Sequence, residues 1–230
     1  VHVGTLVAVM LYFWRDMIGM TGALIRSFRQ LSNHQKLDYE FWLLVKLVLA
    51  TLPVIVAGFL VNEYLGADLR TLEIIGWATL SFGIVLYIAD KMNMTVRQIE
   101  HISFGGAFFI GLLQVFALVP GTSRAGITMT AARFLGVERQ DAARFSLLLS
   151  IPTIIGAGAL KGFELYKSDD PVLLNDAITV AGLSFLFALV AISLLMVWLR
   201  RANFTPFVVY RILLGGILVY IAYYAPNFTF

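Results

Sequence analysis

Long uninterrupted apolar runs, rather than alternation, dominate this chain. They read as Gly4–Met20, Phe41–Asn62, Leu72–Ala89, Phe104–Leu135, Phe145–Lys161, Ala177–Leu199 and Pro206–Tyr224. Most come close to the ~20 residues a helix needs to cross a bilayer. Barrel strands would alternate in polarity, and these runs do not. One run is broken: Phe104–Leu135 carries Pro120-Gly121-Thr122-Ser123-Arg124-Ala125-Gly126 in its middle. The pattern predicts an all-α polytopic membrane protein with about six transmembrane helices and one irregular element at 104–135.

Composition supports that class. Of 230 residues, 60% are hydrophobic and 13% charged, with a mean hydropathy of +0.85. A soluble domain is usually about a quarter charged, and so much apolar surface cannot be hidden in one aqueous core. No cysteine is present, which excludes disulfides and thiolate metal sites. The net charge of +3 sits in the loops, so it reports topology rather than a nucleic-acid partner. The first residue is Val1, with no basic stretch, apolar core and small-residue cleavage site after it. The expectation is a single integral-membrane domain, 1–230, truncated at its N-terminus.

The loop charges set the topology. Arg26, Arg29 and Lys36 form a basic loop, Lys91 and Arg97 a second, Arg133, Arg139 and Arg144 a third, and Arg200-Arg201 a fourth. The loops around Glu63 and Asp68 and across Glu164–Asp176 are not basic. The positive-inside rule puts the basic loops in the cytoplasm. Phe104–Leu135 then lies between two inner loops and must enter and leave on one side. Its first limb, Phe104–Val119, would be ~24 Å of helix, and its second, Gly126–Leu135, is shorter, so two crossings are marginal. A re-entrant hairpin fits better, with Pro120–Ala125 at a tip lying deep, towards the outer leaflet. Non-helical backbone at that depth is tolerated only against protein or a wet cavity.

The tip carries phosphate chemistry. An arginine at membrane depth costs ~3 kcal/mol on insertion scales and normally has a polar or charged partner. Pro120 ends the first limb, and Gly121 and Gly126 allow positive φ and close backbone approach. A second limb starting near Ser123 would point its first N–H groups and positive dipole end into a cavity. Arg124 adds a planar fork for bidentate phosphate contact. Ser123, Thr122 and Thr128 can donate to phosphate oxygens, or one of them can attack. The competing reading is a kinked helix in which Arg124 pairs with a distant carboxylate. The glycines and hydroxyls would then be unneeded.

Cleaving a phosphoanhydride also calls for carboxylates, with a divalent cation such as Mg or Ca held by one or two of them. All fourteen Asp and Glu residues fall in loops or near segment ends. The chain thus shows a phosphate-binding half and no metal ligand.

The residues Gln114, Ala117-Leu118-Val119-Pro120-Gly121-Thr122-Ser123-Arg124-Ala125-Gly126-Ile127-Thr128, Leu135-Gly136, Ala142-Ala143-Arg144-Phe145-Ser146 and Ile151-Pro152 resemble the bacterial undecaprenyl-diphosphate phosphatases of the bacitracin-resistance type. Gly4–Val9 and Phe204–Arg211 extend the likeness over essentially the whole chain. The resemblance implies an enzyme of the bacterial cytoplasmic membrane. It would cleave undecaprenyl diphosphate to the monophosphate carrier lipid and inorganic phosphate at the outer side. It also implies an inverted repeat with one hairpin per half, the first being absent here. On the same ground Arg124, Ser123 and Thr128 belong to the catalytic motif, with Gly121, Thr122, Gly126 and Gln114 binding substrate. The family's acidic motif, with its serines and histidine, would lie upstream of Val1. Ala125 stands where the family usually has a second serine. The partners implied are a polyprenyl diphosphate lipid and the membrane, with no nucleic acid; a homodimer is left open. A lipid-phosphate flippase or transporter is the alternative, since inverted repeats and re-entrant hairpins suit it equally.

Other residues receive structural readings. His2 sits at the outer start of the first run, interfacial or in contact with phosphate. His34 and His101 fall in inner loops and read as solvated. Lys46 and Arg211 lie about a turn inside inner helix ends and are expected to snorkel. Trp14, Trp42, Trp77 and Trp198 suit an aromatic belt. Ser146, Pro152 and Gly156-Ala157-Gly158 suit bending and close helix packing.

Overall fold

The computed structural model describes residues 2–33, 35–64, 70–92, 97–167 and 171–224. His34, the segments 65–69 and 168–170 and the side chains of 62–64, 157–167 and 171–176 lie outside them. The described chain is helical: α1 (His2–Tyr12), α2 (Trp14–Ser32), α3 (Tyr39–Tyr64), α4 (Leu72–Met92), α5 (Phe104–Gln114), α6 (Arg124–Phe134), α7 (Arg139–Lys167), α8 (Pro171–Leu199) and α9 (Thr205–Tyr224). Four stretches among the described residues are long and apolar enough to cross a membrane: Tyr39–Val61, Leu72–Met92, Ala177–Leu199 and Thr205–Tyr224. The bent pair α1–α2 makes a fifth if counted as one span. The outer faces fit lipid: Phe187 on α8 and Phe59 on α3 are exposed, as are all four tryptophans.

The first run departs from expectation. Gly4–Met20 is not one straight span, because the axis turns by 80° between α1 and α2. Beyond Phe13 the sequence changes from uniformly apolar to two-faced. Trp14, Ile18, Ile25 and Phe28 form an exposed apolar stripe at helical spacing, while Met20, Ala23 and Ser27 are buried. Arg15 and Asp16 follow directly, and Asp16 pairs with Arg144 of α7. At the far end of α2, Gln30 and Arg26 donate to the Asp38 carboxylate (2.9 and 2.8 Å) and hold it below the ordinary carboxylate range.

The broken run is a hairpin, as its loop charges require. α5 starts at Ser103, whose Oγ accepts from Gly106 N (3.0 Å). It tightens into a 3₁₀ turn over Val115–Leu118 and reverses through Val119–Ser123 into α6. Its two ends are joined: Arg97 N donates to Gly136 O (3.2 Å), and Glu138 N donates to Arg97 O (2.8 Å). Chain entry and exit therefore lie on the same side. Asp90, at the end of α4 and 3% exposed, sits over this base. Its Oδ1 takes Arg139 Nε at 2.7 Å and Arg133 Nε at 3.3 Å, and its Oδ2 accepts from Phe204 N (3.4 Å). One carboxylate thus joins α4, the hairpin, α7 and the start of α9.

Close helix contact does the rest. A Cβ on Gly111 of α5 would stand 2.4 Å from the Ala50 carbonyl of α3, and one on Gly215 of α9 would stand 2.7 Å from Leu80 N of α4. Phe145, Leu148, Leu149, Leu43, Leu47 and Ile110 fill the centre. α6 is enclosed: Ile127 through Arg133 are all buried. Protein, not lipid, surrounds the irregular backbone, as expected.

On α4 (Leu72–Met92), Thr79 and Ile75 meet the tip and Asp90 the base. Thr79 and Asp90 are eleven residues apart, or ~16 Å at 1.5 Å per residue, so the tip stands nearer the Leu72 end of α4 than the Met92 end.

Asp90→Ala leaves two arginines facing each other at the hairpin base. It should cost about 3–5 kcal/mol, the penalty for breaking a buried pair. Chemical unfolding in detergent measures it, and an unchanged midpoint would remove Asp90 from this role.

Candidate functional site

The tip is a strained turn with polar groups on two sides. Pro120 closes the 3₁₀ turn, Gly121 has φ +93°, and Ser123 has φ +66°, the only positive φ outside glycine among the described residues. Such strain persists only where surroundings over-determine it. Here they do. Thr79 Oγ1 shares its proton between the carbonyls of Ile75 (2.7 Å) and Gly121 (3.2 Å). Arg211 Nη2 donates to the carbonyls of Gly121 (2.9 Å) and Thr122 (2.8 Å). Ser123 caps α6, its Oγ accepting from Gly126 N (3.3 Å). The first-turn N–H groups of α6 have no helical acceptor, and the positive end of the helix dipole lies among them.

A cavity of about 600 Å³ opens beside this turn. Gly121, Ser123, Gly126 and Arg211 form its polar end, and Leu86, Met129, Leu195, Leu214 and Leu218 line its body. The other expected site residues are placed differently. Arg124 is half-buried outside the cavity lining, its Nη1 3.5 Å from the Ser150 carbonyl of α7. No carboxylate pairs with it among the described residues. Thr128 is buried; its hydroxyl meets that of Ser146 at 2.5 Å and lies 3.0 Å from the Arg124 carbonyl. Ser146 Oγ in turn lies 3.2 Å from the Ala125 carbonyl. This pair steadies the first turn of α6 against α7. Thr122 and Gln114 are buried, and Thr122 Oγ1 and Gln114 Nε2 have no partner among the described residues.

Two cations do not snorkel. Arg211 is buried on α9 and turned inward, because the carbonyls of Gly121 and Thr122 lack helical donors and need one. Lys46 is also buried, with Nζ 3.4 Å from the Glu100 carbonyl and over the Phe104 ring. Arg211 is the functional residue that sequence reasoning missed. The signal was the one that singled out Arg124: an arginine inside an apolar run with no carboxylate nearby. His2 is exposed and absent from the cavity lining. His101 is exposed and accepts from Gln98 N at Nδ1 (3.2 Å).

Among the described residues no three of His, Asp or Glu gather to hold a metal. The tip offers guanidinium, hydroxyl and amide donors, a set that fits an anion and does not fit a cation.

The fold defines a polytopic helical membrane protein, with a hairpin in its bundle whose tip gathers guanidinium, hydroxyl and amide donors. The chain belongs to the family described as bacitracin resistance protein BacA, whose model matches residues 1–217. It is 44% identical over 228 residues to undecaprenyl-diphosphatase 1 of Rhodospirillum rubrum, covering 99% of this chain and 79% of that protein. It is 43% identical over 226 residues to undecaprenyl-diphosphatase of Roseobacter denitrificans and 46% identical over 224 to that of a Jannaschia species; each match covers 97% of this chain and 82% of the relative.

Gly121→Ala puts a side chain at positive φ, with its Cβ 2.4 Å from the Ile75 carbonyl. The backbone term alone costs about 1–2 kcal/mol. The variant should melt lower than wild type in detergent, and equal melting would show that the turn relaxes freely.

Proposed function

We propose that this protein is an undecaprenyl-diphosphate phosphatase. It hydrolyses the phosphoanhydride of undecaprenyl diphosphate, releasing inorganic phosphate and returning undecaprenyl phosphate as carrier lipid for cell-wall synthesis. This recycling fits the bacitracin-resistance description of its family. The observation that carries the reading is Arg124 beside the open N-terminus of α6, inside an apolar bundle and without a carboxylate partner among the described residues. A buried guanidinium and free amides call for an anion, and an anion at this depth is most readily brought by a lipid tail.

In this reading Arg124 grips the terminal phosphate, and the first-turn amides of α6 take its remaining oxygens. Ser123 keeps its proton free to donate, because its oxygen already accepts from Gly126 N. Water adds to the terminal phosphorus, the bridging P–O bond breaks, and the leaving oxygen stays on the prenyl phosphate. The donors stabilise charge as it moves from the attacked phosphoryl to the bridging oxygen. Thr128 and Ser146 hold the turn in place. The described residues supply no cage for an Mg or Ca ion, and no step here passes through one.

We place the protein in the bacterial cytoplasmic membrane, with the tip reached from the outer side. The support is that the basic residues Arg97, Arg133 and Arg139 all gather at the base of the hairpin.

Arg124→Ala in the full chain should lower phosphate release from undecaprenyl diphosphate by about 10²–10³-fold, the usual loss for one transition-state donor. Arg124→Lys should fall between, keeping charge without the fork. Release should occur in proteoliposomes without lipid translocation. Wild-type turnover by Arg124→Ala would sink its assignment.

A further inference from the structure

Two arginines flank the first turn of α6, and the reaction above uses one. Arg211 is 9% exposed. Its Nη2 is committed to the carbonyls of Gly121 and Thr122. Nη1 stands 3.3 Å from where a Cβ on Gly126 would be, against the first turn of α6. Nε is buried and has no acceptor. Among the described residues no carboxylate pairs with Arg211, and none lines the cavity it faces. Carbonyl oxygens satisfy hydrogen bonds but do not cancel a full charge. A guanidinium buried in that way needs an anion.

The cavity specifies what carries the anion. Its polar end is the turn with Arg211, and its body is aliphatic and aromatic, from Leu86, Met129, Leu195 and Leu214 to Phe204 and Phe207. Inorganic phosphate would leave that body without a partner. A single phosphate at the end of a long apolar chain fits both ends. Arg124 is not in this lining, although its neighbours Ser123 and Ala125 are, and its Nη1 lies 3.5 Å from the Ser150 carbonyl of α7.

We propose that this cavity seats the lipid-linked phosphate and first isoprene units of the substrate, with Arg211 as the residue that binds that phosphate. Arg124 then handles the terminal phosphate, and the two guanidinium groups divide the diphosphate between them. When the anhydride is cut, the lipid-linked phosphate stays on Arg211, so Arg211 governs retention of the monophosphate product. The choice of ligand rests on the phosphatase reading; the anion site and its apolar body do not.

Direct binding tests this without turnover. The full chain in nanodiscs is titrated with radiolabelled undecaprenyl monophosphate and, separately, with inorganic phosphate. Arg211→Gln should weaken retention of the lipid monophosphate by at least about tenfold, as expected for one charge-assisted bond. Phosphate binding should fall clearly less than lipid monophosphate binding, because the turn loses one of its two clamps while Thr79 and Arg124 remain. Leu214→Trp fills the cavity and leaves the turn alone; it should weaken the lipid monophosphate and spare phosphate. Arg124→Ala should show the reverse preference. Equal loss of both ligands in Arg211→Gln, with Leu214→Trp binding normally, would mean that Arg211 acts only by shaping the turn, and would overturn the proposal. So would unchanged binding of the lipid monophosphate in Arg211→Gln. If wild type retains the monophosphate but releases no phosphate from the diphosphate, the phosphatase reading fails and the site stands.

Discussion

Peptide groups that belong to no helix must still be satisfied inside an apolar bundle, and the rest of this structure is arranged around that demand. The backbone from Val119 to Ser123 is non-helical, with Thr122 buried and Val119 to Gly121 half-buried among the helices. Lipid offers no donors, so the bundle supplies them: Thr79 from α4 and Arg211 from α9 both reach the Gly121 carbonyl. These two helices must come close for both to do so. They meet through small residues: a Cβ on Gly83 would stand 3.0 Å from Arg211 Cβ, and one on Gly76 would stand 2.9 Å from Val219 N. A larger residue at either place would push α9 off α4 and carry the guanidinium away from the turn. Packing and polar satisfaction are one constraint here.

The base of the hairpin solves the same problem with charge. Asp90 faces two arginines, and Arg133 also donates to the Val137 carbonyl (2.6 Å) at the end of the hairpin. Buried ion pairs are weak sources of stability but strong specifiers when removal of one member leaves charge behind. Two limbs of 11 residues each cannot span a bilayer, so nothing about their length holds them in place. The pairing of residues 97 and 137 and the Asp90 cluster hold them from below, and Thr79 and Arg211 from above.

Much of this was legible before any coordinates. The hairpin followed from loop-charge parity, because basic loops on both sides of one apolar run leave no other path under the positive-inside rule. The tip chemistry followed from residue types that lipid would reject. Three features were not legible, each for a physical reason. The bend at Phe13 hides in Gly4–Met20 because a sum of apolar residues does not separate a uniform helix from a two-faced one; the spacing of Trp14, Ile18, Ile25 and Phe28 does. The depth of the tip depends on which α4 residues it meets, a long-range fact. Arg211 looked like a snorkelling side chain because its distance from the helix start was weighed, and the unsatisfied carbonyls 90 residues earlier were not visible.

The contact between Arg211 and the turn has a consequence beyond holding it. In a planar trans peptide, a carbonyl and the N–H that follows it point in opposite directions. Arg211 draws the Thr122 carbonyl towards α9, so the Ser123 N–H must point away from α9. The neighbouring donors belong to the first turn of α6, where Arg124 leaves towards α7. One guanidinium therefore divides the turn: its acceptors face α9, and its donors face the side where Arg124 stands. Both bonds come from one nitrogen, Nη2, so a lysine ammonium placed there would have hydrogens for both carbonyls but would lack the Nη1 and Nε donors beside them. The electropositive face of the hairpin thus depends on a residue from the last helix of the chain, nearly ninety positions beyond the motif it orients.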